Sequence, residues 1–229
     1  MRKFLAIGAV SLIGLASANA NHIDFIQDDS DSSNGVTDAT FSLTAGVGQT
    51  VTDTQIGEPA DILGGSRAVT LTGGGFAMNT TATKALGTDF IEVSNGNTAA
   101  GTLTLDYDGF DNSDFASMWN FIGIDIPFID NLVGDGELDL SVAVESSLGN
   151  AVSSEIRVED PGMFFFAFND PAFAGVDFSD VDRVTVTFET AIIGSDFQIG
   201  SITREIVPEP SSLALLSLAA VGALARRRT

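Results

Sequence analysis

The chain of 229 residues predicts an all-β protein, an antiparallel β-sandwich, on three observations. Apolar and polar residues alternate with period two in many short stretches, as half-buried strands require. Glycine-rich punctuation, supplied by 24 glycines, separates these stretches at short intervals. Almost nothing between residues 21 and 206 carries a sustained helical period, which leaves strand-on-strand packing as the way to bury a core.

Taken in order, His22 to Phe25 opens the domain and a polar loop follows from Asp28 through Gly35. Ala39 to Thr44 alternates, as do Arg67 to Thr72, Phe90 to Ser94 and Thr102 to Tyr107. Gly73-Gly74-Gly75 reads as a turn because it lacks the lysine and following helix of a phosphate loop. Asn95-Gly96-Asn97 is a strong turn signal. Phe115 to Phe121 is read as one helical turn carrying Met118 and Trp119, and Phe121 to Ile126 returns to alternation until Pro127 ends it. Glu137 to Val144 is a long alternating strand, followed by Glu155 to Glu159. Met163 to Phe168 is too continuously apolar for a one-faced strand and predicts a central strand or a buried crossover. Val181 to Phe188 and Asp196 to Ile202 close the domain.

The two ends are different. Arg2 and Lys3, the apolar run Phe4 to Ala16 and the small residues Ala18-Asn19-Ala20 predict a secretory signal peptide over 1–20, cut by signal peptidase to leave Asn21. At the other end, 207–229 holds Pro208-Glu209-Pro210, an apolar run from Leu213 to Ala225 that predicts a hydrophobic helix, and Arg226, Arg227 and Arg228. From Pro210 to Ala225 a helix reaches roughly 24 Å, short of the ~30 Å hydrocarbon core, so a transmembrane anchor there is marginal and relies on the arginines. A buried core helix and a permanent single-pass anchor are the alternatives. Positive charge at both ends places everything between them outside the membrane.

Between Asp24 and Glu209 there are five bases against thirty-one acids, a net charge of −26. That acidity keeps a protein soluble and repels polyanions, and it excludes nucleic acid as a partner, which needs a basic footprint. Life in high salt would produce the same acidity. Cysteine is absent, so the fold is held by its core rather than by disulfides.

Candidate chemistry is confined to acidic loops. Asp106, Asp108, Asp111 and Asp114 cluster around Gly109 and offer the hard oxygen ligands that calcium takes. Asp28, Asp29 and Asp31 form a second cluster, and Asp130, Asp135, Glu137 and Asp139 a third. None has EF-hand spacing, and solvated surface carboxylates are the plain alternative. Trp119, the only tryptophan, is expected in the core rather than on a sugar platform. His22, the only histidine, is expected at a disordered terminus, where it cannot serve a catalytic relay.

Pro208-Glu209-Pro210, the short hydrophobic helix and the terminal arginines together resemble the PEP-CTERM sorting signal of Gram-negative bacteria. The resemblance implies export, transient anchoring in the inner membrane, and processing near the motif by an exosortase. It also implies residence at the cell surface or in an extracellular matrix of exopolysaccharide and biofilm. Phe173 to Val181, Val184 to Phe188 and Asp196 to Ile202 are similar to the closing strands of jelly-roll domains such as galactose-binding and carbohydrate-binding modules. Two functions follow as expectations: a non-enzymatic exported surface or matrix protein, with no cofactor required, and alternatively a carbohydrate-binding module with structural calcium. A secreted hydrolase comes third, because paired carboxylates arise by chance in so acidic a chain.

Overall fold

A computed structural model describes residues 22–26, 40–56, 62–76, 78–85, 88–108, 110, 112–130, 138–153, 155–190 and 194–206. The signal segment with Ala18, Ala20 and Asn21, the loop with Asp28, Asp29 and Asp31, Asp111, Asp135, Glu137 and the sorting tail lie outside the described residues.

Among those described, sixteen strands run in chain order. They are β1 (His22–Phe25), β2 (Phe41–Ala45), β3 (Thr50–Ile56), β4 (Ser66–Gly75), β5 (Thr80–Lys84), β6 (Ile91–Asn95), β7 (Ala99–Tyr107) and β8 (Phe121–Ile126). The second half holds β9 (Phe128–Asp130), β10 (Leu138–Ser146), β11 (Gly149–Val152), β12 (Ile156–Val158), β13 (Gly162–Ala167), β14 (Val181–Thr190), β15 (Asp196–Ile199) and β16 (Ser201–Glu205). The named strands pair antiparallel throughout, which makes the expected antiparallel β-sandwich the observed one.

One layer is the seven-stranded sheet ordered β11-β10-β14-β7-β4-β3, with β12 also on β10. The other is assembled from two sheets, β1-β16-β8-β13 and β2-β5-β6-β15-β9. They are joined covalently twice: β8 passes into β9 across Pro127, and β15 passes into β16 across Gly200. The stretch Asp196 to Ile202 is therefore two strands in two sheets, where the sequence predicts one. Proline removes a ladder donor at the first crossing. At the second, a Cβ on Gly200 would lie 2.5 Å from Asp125 Oδ2, so glycine leaves room for that carboxylate where any other residue would push it aside.

Alternation places the core. Val69, Leu71, Leu103, Leu105, Leu138, Leu140, Val142, Val184, Val186 and Phe188 line the inner face of the large sheet and are at most 1% exposed. Ile122, Ile124, Ile126, Ile91, Phe197, Ile199 and Ile202 answer from the other layer, with Phe188 and Phe197 stacked at 5.8 Å across the sandwich.

Two local readings are corrected. Gly73-Gly74-Gly75 is no turn: it completes β4 and pairs with Gly101, Ala100 and Ala99. A Cβ on Gly73 would come 2.4 Å from Gly46 O, and one on Gly101 2.6 Å from Thr80 Cγ2, so these glycines permit close backbone approach. The phenylalanine run is neither central nor a crossover. It is β13, an edge strand on β8, with Phe166 buried and Met163 and Phe165 40% and 41% exposed.

One buried polar group joins the layers. A bulge in β1 between His22 and Asp24 turns Asp24 inward, where it is 0% exposed. Its Oδ2 accepts from Arg67 Nη1 of β4 at 2.5 Å and from the Tyr107 hydroxyl of β7 at 2.6 Å.

Candidate functional site

Residues 112–120 form a short loop at one end of the sandwich, tied down on both sides. Phe115 N and Ala116 N donate to Phe178 O at 2.7 and 3.0 Å, Ser113 and Val181 exchange backbone bonds at 2.9 Å, and Asn120 N donates to Glu205 O of β16 at 3.0 Å. The side chain of Asp114 caps the loop, accepting from Ser117 N at 2.9 Å. Trp119 N donates to Phe115 O at 3.3 Å, which closes the single helical turn expected here.

The turn carries Trp119 out of the core. The indole is half-buried, not buried as expected, and it rests on the Arg204 guanidinium, whose carbon lies 4.0 Å from the ring centroid and 5.0 Å from that of Phe115. Arg204 occupies an inward position of β16 and is 8% exposed. Burial lowers its pKa to about 10, so it remains cationic at neutral pH and supports the ring through a cation–π contact worth about 0.5–2 kcal/mol. Above this floor opens a cavity of about 370 Å³ lined by Trp119, Asn120, Phe121, Phe168, Asn169 and Phe178, with Ala116 at its edge. Phe168 and Phe178 stack at 4.1 Å with planes 7° apart, which fixes the far wall. The arrangement offers a flat aromatic surface beside two amides, a composition suited to an uncharged ligand with both apolar faces and hydroxyl groups.

The signal for this site was available in Arg204 and Trp119 only after folding, since 85 residues separate them. A lone tryptophan with no neighbouring aromatic period points to the core by frequency alone.

The acidic residues are distributed otherwise. Asp106, on β7, accepts from Arg183 Nε at 2.7 Å, from Arg183 Nη2, and from Thr185 Oγ1 at 2.9 Å. Burial works against its charge, but these bonds outweigh burial and hold Asp106 below the usual carboxylate range. Asp108 follows the end of β7, and Asp114 serves the cap just described. Asp130 stands opposite Asp196 in the β9–β15 pair, and Asp139 faces Arg157 at 3.5 Å. Among the described residues no group of three or more His, Cys, Asp or Glu is arranged to hold a metal ion.

The Asp106–Arg183 pair has a pH signature. A depressed carboxylate stabilises the fold above its ordinary pKa and loses that contribution as pH falls through its lowered folded value. Arg183 is nearly half exposed, so screening limits the contribution to about 1 kcal/mol or less. Urea unfolding should therefore show Asp106→Asn less stable than wild type by this amount at pH 7, with the difference shrinking as pH falls below the ordinary carboxylate range.

His22 is not at a frayed end. It sits in β1 opposite Thr203, half-buried, and burial lowers its pKa.

Residues 207–228 match the PEP-CTERM protein-sorting motif. The chain thus carries the signal for export and sorting to the envelope of Gram-negative bacteria that the sequence led us to expect. No helix among the described residues is long and apolar enough to cross a membrane, and the tail itself lies outside them. No curated protein matches the chain. Among solved structures it is similar to the family 11 carbohydrate-binding module from Clostridium thermocellum in complex with a β-1,3-1,4-mixed-linked tetrasaccharide. That likeness has 14% identity and a TM-score of 0.35, covering 75% of this chain and 91% of the module. The enzymatically active domain of bacteriophage CBA120 tailspike protein 4 is similar at 14% identity and a TM-score of 0.32, covering 74% of this chain and 19% of the other. A GH29 fucosidase of Ruminococcus gnavus follows at 13% identity and a TM-score of 0.26, covering 53% and 21%. The chain thus spans about a fifth of the tailspike domain and of the fucosidase.

Proposed function

We propose that the chain is an exported, non-enzymatic protein of the cell surface or extracellular matrix whose sandwich binds a neutral glycan in the Trp119 cavity. The observation that carries this reading is the mounting of the one tryptophan: an indole held on a buried cation, half-buried, beside Asn120 and Asn169. A sugar ring has an apolar face for the indole and hydroxyls for the amides. The net charge of −26 between Asp24 and Glu209 favours a neutral glycan over an acidic one. His22 sits in a strand pair with β16 and the sequence holds no cysteine, so neither supplies a nucleophile–base pair at the cavity. The reading requires no cofactor. Calcium at the 106–114 loop would be an accessory to stability, not to the sugar.

The test is a glycan array probed with the exported protein and its Trp119→Ala variant, followed by titration of any neutral glycan that binds. Loss of a central aromatic anchor should weaken binding on the order of a hundredfold, with no turnover of the bound sugar. Equal binding by both proteins, or release of cleaved product, would remove this reading.

A further inference from the structure

The outer face of the second layer connects the Trp119 cavity to another one. On β8, Ile122, Ile124 and Ile126 point inward at 0% exposure, so Phe121, Gly123 and Asp125 share the outer face. The antiparallel register puts Phe165 of β13 opposite Gly123 and Met163 opposite Asp125 on that same face. Phe165 meets Phe121 edge-on at 6.0 Å. At the far end of the strand lies a cavity of about 360 Å³ at the Gly200 crossing, lined by Asp89, Phe90, Asp125, Gln198 and Ser201. Ser201 is paired with Asp125 and shares its face. Phe121 lines the first cavity and Asp125 the second. Four residue steps along a strand separate them, about 13 Å.

We infer that these two cavities and the phenylalanine strip between them are one elongated site for a neutral polysaccharide chain, not a pocket for a terminal sugar. The inference rests on the glycan reading of the Trp119 cavity and extends it. Each section supplies what a chain of sugar rings needs: Trp119 to stack at one end, Phe121 and Phe165 as apolar contact midway, and carboxylate, amide and hydroxyl groups at the other end to accept and donate to ring hydroxyls. Asp89 and Asp125 both line this cavity, and among the described residues its lining includes no base, so it accepts from hydroxyls and disfavours uronate or sulfate. The exposed Met163 and Phe165 are the part of this face that a second copy of the chain would otherwise cover.

The experiment titrates the exported protein with neutral oligosaccharides of whichever type the array selects, as a length series from monosaccharide to hexasaccharide. Affinity should rise by about tenfold or more as the chain lengthens. Gln198→Ala and Phe165→Ala should remove that gain while leaving short-chain binding, and Trp119→Ala should weaken every length. Affinity independent of length, or a gain untouched by Gln198→Ala and Phe165→Ala, would overturn the extended site while the Trp119 reading stands. Binding of no neutral glycan at all would remove both. Analytical ultracentrifugation separates the remaining occupant: if Phe165→Ala converts a dimer to a monomer without changing long-chain affinity, the strip is a self-association face and the inference fails.

Discussion

Asp24→Asn is expected to cost the folded domain about 3–5 kcal/mol, because it leaves the Arg67 guanidinium charged and buried with its counter-ion gone. Arg67 is 2% exposed and Asp24 0%. Burial opposes the Arg67 charge, and Asp24 outweighs it and raises the pKa above its ordinary value; without Asp24 the burial penalty stands uncompensated, and a guanidinium is too basic to shed its proton at neutral pH. In a domain of this size the loss corresponds to a fall of about 10 °C in Tm, read by thermal or urea unfolding of the exported protein. Tyr107→Phe removes one bond to the same oxygen and should cost less, about 1–3 kcal/mol. A triple replacement, Asp24→Leu with Arg67→Met and Tyr107→Phe, separates charge from packing. It should recover most of the loss, since apolar groups of similar volume substitute well for a buried ion pair. A single Asp24→Asn variant as stable as wild type would show that the pair contributes nothing. The tyrosine adds a sign at the alkaline end. Burial, then the charge of Asp24, lift Tyr107 well above its ordinary value of 10, so the unfolded chain ionises first and stability falls as pH rises past about 10.

This triad shows where sequence reading stops. Asp24, Arg67 and Tyr107 are 43 and 40 residues apart, and a charged residue within an alternating strand reads as a solvent-facing one. Only the bulge in β1 reverses Asp24, and bulges leave no periodic trace. The architecture was far more legible, because Leu103, Leu105 and their counterparts at Leu138, Leu140 and Val142 repeat at the strand period. Strand β3 was missed for the opposite reason: Thr50 to Ile56 is an edge strand whose residues are mostly exposed, so it lacks an apolar face to betray it. Met163 to Phe168 misled because aromatic density suggests burial on both faces. An edge strand can leave Phe165 half in solvent when that face has a surface role. Trp119 followed the same pattern. Its support comes from Arg204, and no local spacing announces a cation contributed from the last strand.

The sorting tail is the element for which sequence alone suffices, and its prediction has the largest effect of all. Pro208 and Pro210 have φ angles fixed by their rings and offer no backbone N–H, which disfavours strand pairing across Pro-Glu-Pro and lets a helix begin no earlier than Pro210. We propose that an exosortase reads this proline-fixed backbone, while Leu213 to Ala225 and Arg226 to Arg228 hold it at the membrane face. Replacing both prolines with alanine barely alters hydrophobicity. Membrane association should therefore persist while processing is lost, and the precursor should accumulate with Thr229 intact. Replacing Arg226, Arg227 and Arg228 with glutamate should act on the other step, weakening retention at the cytoplasmic side because acidic residues do not substitute for the positive anchor. Mass spectrometry of the C-terminal peptide in the native host, with and without its exosortase, distinguishes the two effects. An intact Thr229 in every strain, unaffected by the proline changes, would mean that the tail is an ordinary anchor and that the sandwich remains tethered rather than delivered.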